Sequence, residues 1–237
     1  MRKIAILNFK GGTGKTTTAV NLGYALALKN YKVLIIDCDP QGAIGSWLGL
    51  NPENTLYNLL TDEARLEDCI YQARSKLDII ASNKYLARIE FRLTKEKDIE
   101  KAFSKKLKTL RGYDFIFLDC PPSFSILNLN ALEYAEEIFL PVSMDYLSLR
   151  GVKQVIELLP ENIKLIKIIP TFYDKRTRKS KEILEDLKNF FKDKVTKPIR
   201  INTRISECNS FHKTIFEYDP KSRGSIDYKS LSEEIIK

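Results

Sequence analysis

The chain has 237 residues, 43% apolar and 30% charged, enough to bury a sizeable core in one large domain or at most two. No apolar run reaches the length of a membrane span, no apolar signal segment precedes the first strand, and Cys38, Cys69, Cys120 and Cys208 are scattered without a C-x-x-C pair; membrane-spanning, secreted and disulfide-stapled classes are set aside in favour of a reducing cytoplasm, with each thiol expected as a small buried hydrophobe. The net charge is +8, of which Glu161 to Lys237 supplies +6 (18 Lys/Arg against 12 Asp/Glu), an excess that fits either a polyanion partner or a lysine-rich solvated face.

The first predicted element is a strand over Ile4-Ala5-Ile6-Leu7, and an Ala- and Leu-rich pattern from Thr18 to Leu28 predicts the first helix. Between them stands Asn8-Phe9-Lys10-Gly11-Gly12-Thr13-Gly14-Lys15-Thr16-Thr17. Strand, glycine-rich turn and helix are the context of a phosphate-binding loop. Glycines let the backbone wrap an anion and aim N–H groups at it, and the helix N-terminus adds partial positive charge. Lys10, Gly11, Gly12, Thr13, Gly14, Lys15, Thr16 and Thr17 are the candidate nucleotide-binding residues, with Lys15 directed to the β- and γ-phosphates of ATP and the Thr16 hydroxyl to Mg²⁺. The loop departs from G-x-x-x-x-G-K-[ST] in one place. Phe9 takes the position of the first glycine, and an extra lysine, Lys10, precedes the double glycine.

Val33-Leu34-Ile35-Ile36 reads as a buried parallel strand that ends in Asp37-Cys38-Asp39-Pro40-Gln41-Gly42. Short helices are predicted near Leu56–Leu60 and Leu66–Ala73, then a strand over Leu77–Ile80 and two charged helices over Tyr85–Leu93 and Lys95–Leu110. Phe115–Leu118 is a further buried strand, ending in Asp119 and broken by Pro121 and Pro122. Helix Ile126–Ala135, strand Glu137–Val142, helix Leu149–Leu159, strand Leu165–Ile169 ended by Pro170, and helix Lys179–Phe191 follow. A short strand near Pro198–Ile201, a mixed loop over Asn202–Asp219 and a last helix from Ser225 to Ile236 complete the chain. Strands alternating with helices predict an α/β fold: a single doubly wound, mostly parallel sheet flanked by helices, as in P-loop NTPases, forming one domain over residues 1–237.

Three loops then converge on one edge of the sheet, after the strands ending at Asn8, Ile36 and Leu118. Asp119 fits the Walker B role of holding Mg²⁺, with Pro121 beside it as a further nucleotide contact. Asp39 is placed to orient the attacking water and to join the Mg²⁺ set of Thr16, Asp39 and Asp119, and Asp37 to support that shell or the Thr16 hydroxyl. Lys15 and Asp39 are the candidate catalytic residues by their placement, and Lys10 joins them only through what a family resemblance implies. Basic residues in and around the late loop, Lys197, Arg200, Arg204, Lys213, Lys221 and Arg223, are the candidate DNA-binding set. His212, the only histidine, has no partner pattern for a metal or triad and is assigned a surface or packing role.

The loop K-G-G-T-G-K-T resembles the deviant Walker A loop of the ParA/MinD superfamily. Val33 to Gly42 looks like the family's switch I, and Asp114 to Leu132 like its Walker B and switch II. Tyr146 to Gly151, Thr171 to Asp174 and Tyr218 to Gly224 (Y-D-P-K-S-R-G) are similar to the chromosomal ParA/Soj branch. The resemblance implies a weak ATPase that forms an ATP-sandwich homodimer in which Lys10 reaches the other subunit's phosphates. It implies non-specific binding to double-stranded DNA, release when a ParB-type centromere-binding protein stimulates hydrolysis, and a cytoplasmic, nucleoid-associated protein that partitions a chromosome or plasmid. Arg150 stands where the branch usually has Glu, Phe211-His212 replaces its His-Gly, and the adenine-side segment Ile199-Arg200-Ile201-Asn202 lacks its usual proline. The alternative is a MinD-like spatial-positioning ATPase acting on a membrane or other surface, but the acidic end Leu231-Ser232-Glu233-Glu234-Ile235-Ile236-Lys237 is unlike an amphipathic anchor, so no stable membrane binding is expected. No cysteine pair, C-terminal tyrosine cluster or N-K-x-D motif points to an iron–sulfur carrier, a tyrosine kinase or a GTPase, and no N-terminal helix-turn-helix domain precedes the first strand.

Overall fold

The computed structural model describes residues 1–89, 98–161 and 163–237. Strands β1 (Arg2–Ile6), β2 (Val33–Asp37), β3 (Tyr71–Arg74), β4 (Leu77–Ile80), β5 (Phe115–Asp119), β6 (Glu137–Ser143) and β7 (Leu165–Thr171) form one sheet in the order β3-β4-β2-β5-β1-β6-β7. Every pairing is parallel except that of β3 with β4. Side chains alternate across each strand, and both faces are apolar, because helices cover both. Ile4, Ile6, Ile35, Phe117 and Phe139 pack on one face with α1 (Lys15–Ala27). Ala5, Leu7, Leu34, Ile36, Leu118 and Leu140 pack on the other, against α3 (Leu56–Leu60), α5 (Ile126–Tyr134), α6 (Tyr146–Glu157) and α7 (Arg178–Phe191). The last helix, α10 (Arg223–Ile235), lies beside α1, burying Tyr228, Leu231 and Ile235. Among the described residues no helix is long and apolar enough to cross a membrane.

The buried strands and their helices follow the predicted pattern, and the differences have local causes. A five-residue helix, α2 (Ala43–Trp47), follows switch I where none was predicted. The Leu66–Ala73 helix is replaced by a single turn, Glu67–Cys69, and strand β3, whose Tyr71 and Gln72 pair with Ile79 and Asp78. The ladder overrides a helical periodicity too short to nucleate alone. Tyr85–Leu93 is described as a 3₁₀ segment over Lys84–Arg88, and the part of the two predicted charged helices over 90–97 lies outside the described residues. The second of them shortens to a turn, Ile99–Lys101, and α4 (Ala102–Lys106), held from α5 by the Asn130 amide through Phe103 N–H and the Ile99 carbonyl.

Pro170 lies inside β7 rather than ending it. It is tolerated because β7 is the last strand, and the Pro170 carbonyl accepts from Ile199 N–H of the outer segment. That segment meets β7 and the residues just after it through isolated bridges, Val195 with Ile168 and Arg200 with Tyr173, and not as the predicted strand. The mixed loop is instead ordered into α8 (Thr203–Cys208), a turn over Asn209–Phe211, and α9 (Ile215–Tyr218), with Asn202 and Thr214 as their caps.

Candidate functional site

Strand register builds the site. Asp37 and Asp119 are partners on neighbouring parallel strands, and alternation turns both toward the face that carries α1. The chain leaving β1 returns through Gly12 (φ 71°) and Gly14 (φ 89°), left-handed conformations that suit glycine, and Gly14 starts α1. Thr16 therefore meets Asp119, its hydroxyl donating to Oδ2 at 2.6 Å. Lys15 folds back into the loop, its ammonium 3.2 Å from the Lys10 carbonyl, and it is 7% exposed. Burial lowers the Lys15 pKa, with Asp119 acting in the opposite sense.

Asp119 is buried, and its Oδ1 has no hydrogen-bond partner among the described residues. Burial pushes its carboxyl up to about 7, against the pull of Thr16 and Lys15. Burial and the neighbouring Asp119 likewise raise Asp37. An orphaned carboxylate oxygen beside a threonine hydroxyl suits a small divalent cation. Among the described residues no cluster of three or more His, Cys, Asp or Glu side chains would hold a metal. Such a pair fits Mg²⁺, which keeps several waters and shares substrate phosphates, and does not fit a protein-caged metal. Cys38 and Cys120, on the opposite face, are buried free thiols with raised pKa values, inert packing groups as expected. Cys69 and Cys208 are also buried and free.

Asp37 holds the switch I turn through both oxygens, accepting from Asp39 N–H and Ile44 N–H at 3.1 Å each. The Asp39 carboxylate is half-buried, accepts from Gln41 N–H at 2.9 Å and makes no side-chain ion pair among the described residues. Gly42 (φ 63°) closes the turn, and a Cβ there would sit 2.6 Å from the Ser82 carbonyl oxygen. Gly42→Ala is expected to lose about 2–4 kcal/mol of stability by denaturant midpoint. Gly112→Ala, with positive φ but open space, should lose only the conformational part, about 1–2 kcal/mol.

Lys10 points out of its own loop. Its ammonium is 2.6 Å from Asp145 Oδ2 and 3.4 Å from Ser148 Oγ, with the side chain 42% exposed. Burial alone would raise the Asp145 carboxyl, but Lys10 and the Ser143 and Ser148 hydroxyls hold it down to about 2. Asp145, which also caps α6, was not among the predicted site residues; the D-x-x-S cap pattern was its only sequence signal. Phe9 stacks edge-on against Phe124 at 5.5 Å, which accounts for an aromatic at the missing glycine. Thr13 is buried, and its carbonyl accepts from the Thr171 hydroxyl at 2.8 Å. Gly11 lies 4.0 Å, by an added Cβ, from Pro122, and Pro121 is buried beside Asp119. A cavity of about 370 Å³ opens next to Gly14 and Thr17, walled by Phe172, Ile199, Ile201 and Tyr228. It lies at the predicted adenine-side segment.

The late basic residues do not form one cluster of free cations. Arg200 is committed to Asp227, its guanidinium 2.6 Å from Oδ1. Arg204 is exposed and pairs with Glu207 at 2.9 Å and Asp219 at 3.8 Å. Lys213, Lys221 and Arg223 are exposed and make no ion pair among the described residues. Lys197 stands apart, near Glu233 and Glu234 at the far end of α10.

The profile of the AAA domain family matches residues 1–189. The chain is 37% identical over 245 residues to the sporulation initiation inhibitor protein Soj of Bacillus subtilis, covering 98% of this chain and 97% of that protein. It is 35% identical over 249 residues to the chromosome partitioning protein ParA of Myxococcus xanthus, covering 100% and 88% respectively. Among solved structures, the septum site-determining protein MinD of Pyrococcus horikoshii complexed with Mg-ADP superposes with a TM-score of 0.84 at 26% identity, over 100% of this chain and 96% of that one. A deviant phosphate loop, carboxylates in register on β2 and β5, and full-length identity to Soj and ParA agree, and the chain belongs to the ParA/Soj-type partitioning ATPases of the ParA/MinD superfamily.

Proposed function

We propose that residues 1–237 act as one ATPase unit that dimerises around two ATP molecules, binds duplex DNA without sequence preference, and is released when a ParB-type partner stimulates hydrolysis. The observation that carries this reading is the division between the two lysines. Lys15 is sealed inside its own loop, whereas Lys10 projects to the surface and is held there by Asp145 and Ser148. A cation that faces outward at the mouth of a phosphate site suits the phosphates of a facing subunit. Loop N–H groups and Lys15 bind the phosphates, and Thr16 and Asp119 would hold Mg²⁺, with Asp39 completing the set through water. The ion supplies neutralisation of phosphate charge. Asp39 positions water for attack; its flanking turn is fixed by Asp37 and Gly42. Thr13, Thr17 and Pro121 line the nucleotide, and the cavity beside Thr17 takes the base. Localisation on the nucleoid in the cytoplasm follows from this activity.

For DNA, a single protomer offers only the separated cations Lys213, Lys221 and Arg223, with Arg204 exposed but paired to Glu207 and Asp219. Two copies on a two-fold axis double the patch and raise effective concentration, so ATP is required for binding. Contacts go to phosphates, and log affinity should fall with log salt at roughly −0.9 per neutralised phosphate. Arg223→Glu is expected to abolish binding to random duplex while ATP dimers persist; Arg204→Glu should do the same, while Arg200→Glu would also strand Asp227 and test folding more than binding. The measurement is ATP-dependent binding to random DNA across salt concentrations, beside anionic vesicles. Salt-insensitive binding, or tighter binding to vesicles than to DNA, overturns the nucleoid reading in favour of a surface-bound, MinD-like one.

A further inference from the structure

Two chains of hydrogen bonds leave the phosphate site and meet in one short segment, residues 212–217. The first runs through the helix that follows the phosphate loop. The Asn21 side chain, fully buried, donates to the Thr17 carbonyl at 2.9 Å and accepts from Ile215 N–H at 2.8 Å. The second runs through switch I. The Asp37 carboxylate accepts from Ile44 N–H at the start of α2. The other end of α2 then grips the same segment: the Ser46 carbonyl oxygen contacts His212 Nδ1 at 2.7 Å, and Trp47 Nε1 donates to the Lys213 carbonyl at 2.9 Å. Arg74 locks the junction. Its guanidinium donates to the Leu48 and His212 carbonyls and pairs with Glu217 at 2.6 Å, and Glu217 in turn accepts from Thr214 N–H. Beyond the junction, Phe211 stacks on Tyr218, whose hydroxyl donates to the Glu207 carboxylate that holds Arg204.

We propose that residues 212–217 are a relay that reports the nucleotide state of the phosphate site to the late basic surface within each protomer, with Arg74 as its keystone. The inference rests on the ATPase and DNA-binding reading above. It adds that dimer avidity is not the whole of the ATP requirement. A ligand shifts a conformational equilibrium only by the contacts that differ between states. ATP and ADP differ by the γ-phosphate, which would lie beside the roots of both chains, the Lys10–Thr17 loop and the Asp37–Gly42 turn. Both chains end on backbone groups of 212–217, so displacement of either root moves the backbone that carries Lys213.

The chain supplies its own reporter, because Trp47 is the only tryptophan and its indole N–H makes one of the relay bonds. Wild-type protein is titrated with a slowly hydrolysed ATP analogue or with ADP while Trp47 emission and amide hydrogen exchange over 208–219 are followed. The measurement is repeated in Lys10→Ala, with sedimentation showing that the dimer is absent. The expected result is a Trp47 emission that differs between the two nucleotides and an Ile215 amide whose exchange differs at least threefold, in both proteins. In Arg74→Gln, ATP-driven dimers and unstimulated hydrolysis should persist, the exchange difference should vanish, and the ratio of DNA affinities in ATP and ADP should fall by about fivefold or more. Identical emission and exchange with the two nucleotides in wild type overturns the relay without recourse to any variant. So does an undiminished exchange difference in Arg74→Gln, or a difference that disappears with the dimer in Lys10→Ala. A nucleotide-dependent relay in a protein that binds no DNA supports the relay and sinks the DNA reading instead.

Discussion

Lys15→Ala is expected to lose nucleotide, and Lys10→Ala is expected to keep it. The Lys15 ammonium is buried in the loop beside the Lys10 carbonyl and is 7% exposed, where the proposed phosphates would meet it. Removing one partner of a buried, hydrogen-bonded charge pair costs about 2–5 kcal/mol, so ATP affinity should fall roughly thirtyfold to several-thousandfold. Dimers disappear as a consequence. Lys10 sits outside its own loop on Asp145, so its loss leaves the monomer's phosphate contacts in place. Affinity of the monomer should change by less than about threefold, because an exposed ion pair is worth on the order of 1 kcal/mol or less. ATP-dependent dimers should nonetheless vanish. Equilibrium nucleotide binding paired with sedimentation separates the two cases, and normal dimers from Lys10→Ala would remove the cross-subunit role from Lys10. The partner of the parked lysine gives a further check: Asp145→Asn keeps the cap on α6 while freeing Lys10, and should leave dimers intact.

Asp39→Ala is expected to trap the ATP state. The substitution removes a half-buried carboxylate that supports neither Thr16 nor the phosphate loop, while Asp37 keeps its hold on Asp39 N–H and Ile44 N–H through the backbone. Binding and dimerisation should survive. Loss of a water-positioning group costs on the order of a hundredfold or more in rate. Turnover measured with a stimulating partner should fall by that factor, and the protein should accumulate on DNA. Wild-type turnover would refute the role of Asp39. A mutant that fails to bind ATP would instead make the share of Asp39 in the cation site, and not its hold on water, the dominant role.

The geometry of the candidate phosphate loop was legible because its information is local. A run of glycines between a strand and a helix, with Lys15 and Thr16 at fixed offsets, carries its geometry in the backbone itself. Asp119 and Asp37 were legible because apolar runs of four residues end at each, Asp39 follows two residues after Asp37, and parallel strands deliver their C-terminal ends to one edge. Asp145 and Asn21 were not, because each acts through a partner more than a hundred residues away: Asp145 through Lys10, and Asn21 through Ile215. Helix α2 and strand β3 were missed for a related reason, since short elements owe their form to neighbours and not to periodicity.

By itself the sequence determined the doubly wound sheet, the phosphate loop, the carboxylates that face it and the kinship with ParA and Soj, all of which rest on hydrophobic period, glycine placement and motif spacing. Only the tertiary structure decided which charges are free. Six late cations look equivalent along the chain, yet Arg200 is held by Asp227 and Arg204 shares Glu207 and Asp219, while Arg223 makes no ion pair among the described residues. Lys10 and Lys15, five residues apart, likewise end with one ammonium inside the loop and the other on Asp145. A charge is fixed by what the fold brings within a few ångströms of it, and that distance is not written in the neighbouring residues.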